Sequence, residues 1–214
     1  MTPPHIGQII QNAVTFNPCR WREAAMASDS WLESAQRLFN TLHVRHINYV
    51  LVNGIAMLQY VEGRNTEDVD LIMAVASLKK LPELNVSNLD QDFARGQFEA
   101  LQIDLLLTRN RLFEKVQKNY SAKQKFFERT IQCATVEGLL LLKLYALPSL
   151  YRQGNFARVG LYENDIATLL QAYNPNLQPL LRELETHLEP TDLASLDEVL
   201  RDIRQRIERF GKAG

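Results

Sequence analysis

Residues 49–73 read YVLVNGIAMLQYVEGRNTEDVDLIM. An apolar run, a glycine turn, a short apolar helix and a polar loop lead into a second apolar run bearing Asp68 and Asp70. In a strand, residues i and i+2 project from the same face. The two carboxylates therefore stand side by side and repel one another unless a cation lies between them. A divalent metal is the usual answer, and hard oxygen ligands suit Mg2+. A third carboxylate, Asp104, interrupts another strand-like run, FEALQIDLLLT at 98–108. Each carboxylate sits among apolar residues, where a charge needs a cation or hydrogen-bond donors. Three carboxylates on neighbouring strands behind a glycine turn suit phosphoryl transfer, and a metal site is favoured over a structural ion-pair network.

The flanking pattern is α/β, then helical. A helix is expected from Ser28, capped by Ser28 or Asp29, with Trp31, Leu32, Ala35, Leu38, Phe39 and Leu42 at the 3.6 period. Strands are expected at 49–53, 69–75 and 98–107, with a helix at 55–61, a loop at 62–67 and a short helix starting near Leu78. Residues 84–96 are polar and show no readable period. Residues 109–129 read as part helix and part loop, followed by a strand at 130–133. Thr135 then caps an apolar helix, 136–147, that Pro148 closes. Another helix is expected at 162–173. A last one starts at Ser195, where Ser-x-x-Glu with Glu198 forms a capping box. The fold class expected is α/β (α+β), a small mixed sheet flanked by helices and followed by a helical C-terminal region. The expected divisions are an extension at 1–27, an α/β domain at 28–134 and the helical region at 135–214.

Composition excludes several classes. The chain has 214 residues, 46% hydrophobic and 23% charged, with a net charge of −1. Bulk charge therefore implies no polyanionic partner, although local clusters can still bind one. Cys19 and Cys133 are far apart and lack CxxC companions, which argues against zinc and disulfide frameworks and fits a reducing compartment. No apolar run approaches the roughly 20 residues that span a bilayer. The start, MTPPHIGQII, lacks a basic n-region and a long h-region. A cytoplasmic location without a membrane partner is expected.

Other residues acquire meaning beside the carboxylates. Asn53-Gly54 alone is an ordinary tight turn. Upstream of the Asp pair, a glycine at a strand-to-helix turn lets backbone amides approach a triphosphate. Lys143 is a single cation in LLLLKLYAL, either snorkelling to the helix surface or aimed at phosphate as a point charge. Residues 109–129 hold seven cations against two carboxylates, with Phe113, Tyr120, Phe126 and Phe127 interleaved. Two readings stay open there: a solvated face with aromatics turned inward, or an RNA acceptor surface. His5, His43, His46 and His187 lack ligand spacing, and neither a Gly-x-Ser-x-Gly nor a Walker loop is present.

The string from Val52 to Ile72 resembles the nucleotidyltransferase fold of the polymerase-beta superfamily. Within it, the string is similar to the minimal bacterial branch that includes abortive-infection toxin nucleotidyltransferases. That branch has a strand ending in Gly-Gly or Gly-Ser, a short helix, then Arg-x-Thr-x-Asp-hydrophobic-Asp. Arg64, Thr66, Asp68 and Asp70 match the second part, Gly54 matches the second glycine position, and Asn53 replaces the first. Asp104 in Gln-Ile-Asp-Leu-Leu matches the third carboxylate. Lys143 and Ala146 match a later helix motif, Arg152 or Arg158 fills an Arg position, and Asp165-Ile166 matches the motif's end. Leu161-Tyr162 stand where Lys-Asp is the pattern.

The resemblance implies transfer of a nucleoside monophosphate from an NTP to an acceptor, RNA or tRNA among the candidates, with two Mg2+ ions or Mn2+ in their place. It implies Asp68, Asp70 and Asp104 as metal ligands and catalytic groups. Asn53, Gly54, Arg64, Thr66 and Lys143 would contact the nucleotide, with Lys143 also counted among the catalytic groups. It further implies a toxin role with an antitoxin partner. The alternative is a non-catalytic binding module on the same fold.

Overall fold

The computed structural model describes residues 21–61, 68–126 and 129–210. Its strands are β1 (Tyr49–Val52), β2 (Val69–Met73), β3 (Asn85–Leu89), β4 (Phe93–Phe98), β5 (Leu101–Leu107), β6 (Ser121–Phe126) and β7 (Arg129–Ala134). Its helices are α1 (Trp21–Val44), α2 (Asn53–Met57), α3 (Val75–Leu78), α4 (Arg111–Asn119), α5 (Val136–Arg152), α6 (Phe156–Tyr173), α7 (Gln178–Leu184) and α8 (Pro190–Phe210). The chain divides into two compact units between Thr135 and Val136.

The first unit is built on a seven-stranded mixed sheet in the order β3-β4-β5-β2-β1-β7-β6. The runs VLV, LIM and LLL of the central strands are buried, as expected for strands covered on both faces. β2 pairs antiparallel with β1 and parallel with β5. A parallel pair needs a long crossover, and the chain between β2 and β5 supplies α3 and the β3–β4 hairpin. Within that hairpin, a Cβ on Gly96 would stand 2.8 Å from the Asn85 carbonyl oxygen, so only glycine fits so close to β3.

Ala35, Leu38, Phe39 and Leu42 of α1 are buried, as the 3.6 period expects. The helix ends where His46 adopts φ +51°. The Ile47 N–H then donates to the Leu42 carbonyl, and the His46 N–H donates to the His43 carbonyl. This paired closure satisfies the last-turn carbonyls, and the buried Ile47 packs behind it.

Several boundaries differ from the sequence expectation. α1 passes through Ser28 rather than starting there. β1 stops at Val52, because Asn53 turns to φ +51° and opens α2. The patternless residues 84–96 hold most of β4 and all of β3; β3, at the sheet edge, is exposed almost throughout, and β4 alternates exposed and buried residues with little apolar content. The expected strand at 98–107 is two elements, since Phe98 ends β4 and Glu99 takes φ +51° in a tight turn before Leu101. β6 occupies part of the segment expected as helix and loop. The loop expected at 62–67 lies outside the described residues.

The second unit is helical. Pro148 lies inside α5 rather than closing it. The apolar run continues past it, with Leu147 and Leu150 buried, and that burial offsets the lost backbone bond. α7 has no counterpart in the sequence expectation. α8 begins at Pro190, not Ser195. A proline suits a helix's first turn, whereas Ser195 is interior and its hydroxyl donates to the Thr191 carbonyl at 3.0 Å. No described helix is long and apolar enough to cross a membrane.

Candidate active site

The site is a row across the sheet. Val52 of β1 pairs with Asp70 of β2, Asp70 with Asp104 of β5, and Asp104 with Arg95 of β4. Residues paired across neighbouring strands share a face, and strands lie about 4.8 Å apart. Asp70 and Asp104 therefore stand side by side. Asp68, two residues before Asp70, follows the same alternation. All three are part-buried, while Val69, Leu71, Ile103 and Leu105 fill the opposite face. The charges lie on one face because β2 and β5 both alternate, although their apolar content masks that alternation in sequence.

Arg95 completes the row. Its Nε donates to Asp104 Oδ1 at 2.6 Å and its terminal nitrogen to Asp104 Oδ2 at 2.7 Å. The fork thus occupies both oxygens of Asp104, the strong bidentate geometry of guanidinium and carboxylate. Arg95 is held more firmly protonated than an ordinary arginine, first by the hydrogen bond to Asp104, then by its charge, with desolvation opposing. The charges of Asp68 and Asp70 add to this. A single cation therefore feels all three carboxylates. Sequence reasoning misses it, because Arg95 lies in the patternless stretch. The signal becomes visible only once β4 is a strand and Arg95 falls opposite Asp104.

Asn53 is the second donor. Its side-chain amide donates to Asp70 Oδ1 at 3.1 Å. The left-handed φ at this position is one that glycine adopts readily and asparagine tolerates. Asn53 thus replaces a motif glycine without breaking the turn and adds a bond to a site carboxylate. Gly54 is buried in the first turn of α2, five residues long. Arg64 and Thr66 lie outside the described residues.

Among the described residues, no group of three His, Cys, Asp or Glu side chains could hold a metal ion as they stand. The donor chemistry of Asp68 and Asp70 nonetheless suits a hard divalent cation. A guanidinium already drawn to this face shows that it demands positive charge. The Arg95 fork takes one lone pair on each oxygen of Asp104 and crowds the approach of any further cation to it.

Lys143 belongs to the second unit and is fully buried, not snorkelling. Its Nζ donates to Asp165 Oδ2 at 2.6 Å and lies 4.4 Å from the centroid of the Tyr162 ring. Two positions carried by the resemblance, Lys143 and Asp165, thus meet in space. Tyr162, standing where the pattern has Asp, offers the lysine a ring face in place of a carboxylate. Arg152 pairs with Asp192 within the same unit.

The basic segment is better ordered than its sequence suggests. Asn110 caps α4 by accepting from the N–H groups of Leu112 and Phe113. Leu112, Phe113 and Val116 turn inward, and Phe113 meets Phe93 edge-on at 5.4 Å. Lys118 is exposed and pairs with Glu114 one turn back, while Lys123 and Lys125 project from β6 into solvent. Phe127 lies outside the described residues.

No protein-family model and no curated protein matches the chain. Solved structures do. An antigenic nucleotidyltransferase-like protein from Paracoccidioides brasiliensis superposes with a TM-score of 0.56 at 15% identity, over 85% of this chain and 92% of that one. The antibiotic-resistance factor ANT(2'')-Ia matches in its solution structure with a TM-score of 0.50 at 10% identity, over 85% and 97%. The same protein in complex with adenylyl-2''-tobramycin gives 0.50 at 9%, over 80% and 95%. This chain has a nucleotidyltransferase-like fold.

Proposed function

We propose that the chain is a metal-dependent nucleotidyltransferase that moves a nucleoside monophosphate from an NTP to an acceptor hydroxyl. The observation that supports this best is the register of Asp70 beside Asp104, with Asp68 two residues away, on a nucleotidyltransferase-like fold. Asp68 and Asp70 would hold Mg2+, or Mn2+ in its place. When bound, the metal supplies charge neutralisation at the phosphates and Lewis-acid polarisation.

The chain's own residues account for the remaining steps. Asn53 orients the Asp70 carboxylate through its amide. Gly54 and the neighbouring backbone form the place for the triphosphate. Asp104 accepts the proton of the acceptor hydroxyl as that oxygen attacks the α-phosphorus. The bond from the α-phosphorus to the bridging oxygen breaks, and pyrophosphate leaves. The Arg95 fork must move aside for the acceptor hydroxyl to reach the Asp104 oxygens. Arg64, Thr66 and Lys143 enter as nucleotide contacts through the resemblance alone.

Two acceptor classes are supported by different observations. The exposed Lys118, Lys123 and Lys125 suit the phosphates of RNA or tRNA. The complex of ANT(2'')-Ia with adenylyl-2''-tobramycin makes a small-molecule hydroxyl the other candidate. A toxin role with an antitoxin partner rests on the resemblance to the abortive-infection branch. The non-catalytic reading draws on the Arg95 fork, which occupies both oxygens of Asp104.

The test is incubation with each radiolabelled NTP, Mg2+, and cell RNA, protein or a small-molecule fraction. Label transfer by wild type and its loss in Asp70→Asn is the expected result. The variant should melt no lower than wild type without metal, since one crowded like charge is gone. Mg2+-dependent NTP binding in a calorimeter without any label transfer would instead favour the non-catalytic module.

A further inference from the structure

We propose that Arg95 is the resident counter-cation of the carboxylate face and competes with a divalent metal for it. This rests on the reading of Asp68 and Asp70 as metal ligands. It adds a residue that neither the carboxylate motif nor the resemblance includes.

The geometry carries the argument. Arg95 spends its fork on Asp104, at 2.6 and 2.7 Å, and Asp104 stands in register beside Asp70, with Asp68 two residues further along. The guanidinium thus sits on the carboxylate that adjoins the other two across the sheet. The carboxylates of Asp68 and Asp70 beside it are hard oxygen donors that suit a compact divalent ion. Such an ion and the guanidinium would repel each other and would compete for Asp104.

The side chain of Arg95 is 51% exposed and that of Asp104 only 20%. The arginine can therefore swing to solvent, whereas the carboxylate stays in place. Water takes over the hydrogen bonds of the released guanidinium, and a divalent ion at the carboxylates offsets the lost fork. Release of Arg95 also uncovers the oxygens of Asp104. Metal binding and the availability of the base thus become one event.

Titration of the full chain with Mn2+ alone, by calorimetry and by the electron paramagnetic resonance of bound Mn2+, tests this. Arg95→Gln should bind Mn2+ about tenfold tighter or more, since a like charge a few ångströms away is gone. Arg95→Lys keeps the charge but loses the fork. It should tighten binding by less, and it serves if the glutamine variant fails to fold. Asp70→Asn should weaken binding in both the wild-type and the Arg95→Gln backgrounds.

If neither arginine variant binds Mn2+ more tightly while Asp70→Asn still weakens it, Arg95 is only a structural partner of Asp104 and the proposal falls. If Asp70→Asn binds Mn2+ as wild type does, the metal-ligand reading itself fails, and the competition fails with it.

Discussion

Asn53 reaches from the end of β1 to donate to Asp70 at 3.1 Å, and it does so from a left-handed backbone, φ +51°. Conformation and contact separate by substitution. Asn53→Ala should lose about 1–2 kcal/mol of stability from the φ alone. Both variants lose the bond to Asp70, and Asn53→Gly should lose that alone, about 1 kcal/mol, because glycine takes this φ at no steric cost. Urea unfolding of both variants measures the difference. Equal stability of the alanine and glycine variants would show that the turn is not strained.

The buried pair of Lys143 and Asp165 invites a double-mutant cycle. Lys143→Met leaves the carboxylate of Asp165 buried without its lysine and should cost about 3–5 kcal/mol. Lys143→Met with Asp165→Leu removes both charges and should recover most of that loss, since well-packed apolar groups often replace a buried ion pair without penalty. Calorimetric melting checks both. The double variant also tests the phosphate role assigned by resemblance: a stable double variant with wild-type NTP affinity would leave Lys143 as a structural cation alone.

The sheet's centre is legible in the sequence because β1, β2 and β5 are short apolar runs bounded by turn residues, and the carboxylates interrupt those runs visibly. The β3–β4 hairpin is not. Its outward residues, Arg95 and Gln97 among them, alternate with Ala94, Gly96 and Phe98, and two of those three carry little hydrophobic signal. Arg95 is hidden along with its strand. Pro148 misleads for a different reason: local chemistry argues for a stop, and only the burial of Leu147 and Leu150 keeps the helix going. Ser195-x-x-Glu198 fits a capping box by type, yet the helix has already begun at Pro190, in residues of low apolar content. Asn53 departs from a glycine motif, and nothing local in sequence shows that its amide meets Asp70.

Cys133 reports on the packing of β7. Burial pushes its thiol up to about 12, because the thiolate is disfavoured away from water. In a Cys19→Ser background the native protein should resist a disulfide reagent at pH 8 and react only on unfolding. The sign for stability follows: the folded thiol keeps its proton to about 12, while the unfolded thiol ionises near its ordinary 9.0. This group's stabilisation is therefore complete below about pH 9 and is lost progressively as pH rises towards 12. Rapid labelling of the native variant at pH 8 would contradict the burial.

The cations of α4 and β6 offer a test of the acceptor that is independent of catalysis. Lys118, Lys123 and Lys125 are exposed, and Lys115 lies on the same helix as Lys118. If these lysines contact the phosphates of an RNA acceptor, binding should fall linearly with salt on logarithmic axes. Each lost contact should then reduce the slope by roughly 0.7–0.9. Replacing all four by Gln should raise the apparent constant for RNA and flatten the slope by about 3, the sum expected of four contacts on a single strand. The constant for NTP should barely change, because the carboxylate row on β2 and β5 is untouched. The fold should survive, since the inward residues Leu112, Phe113 and Val116 are retained. Filter binding of RNA at several salt concentrations gives the slope. An unchanged slope and affinity would assign these lysines to a solvated face and turn the search for an acceptor towards small molecules.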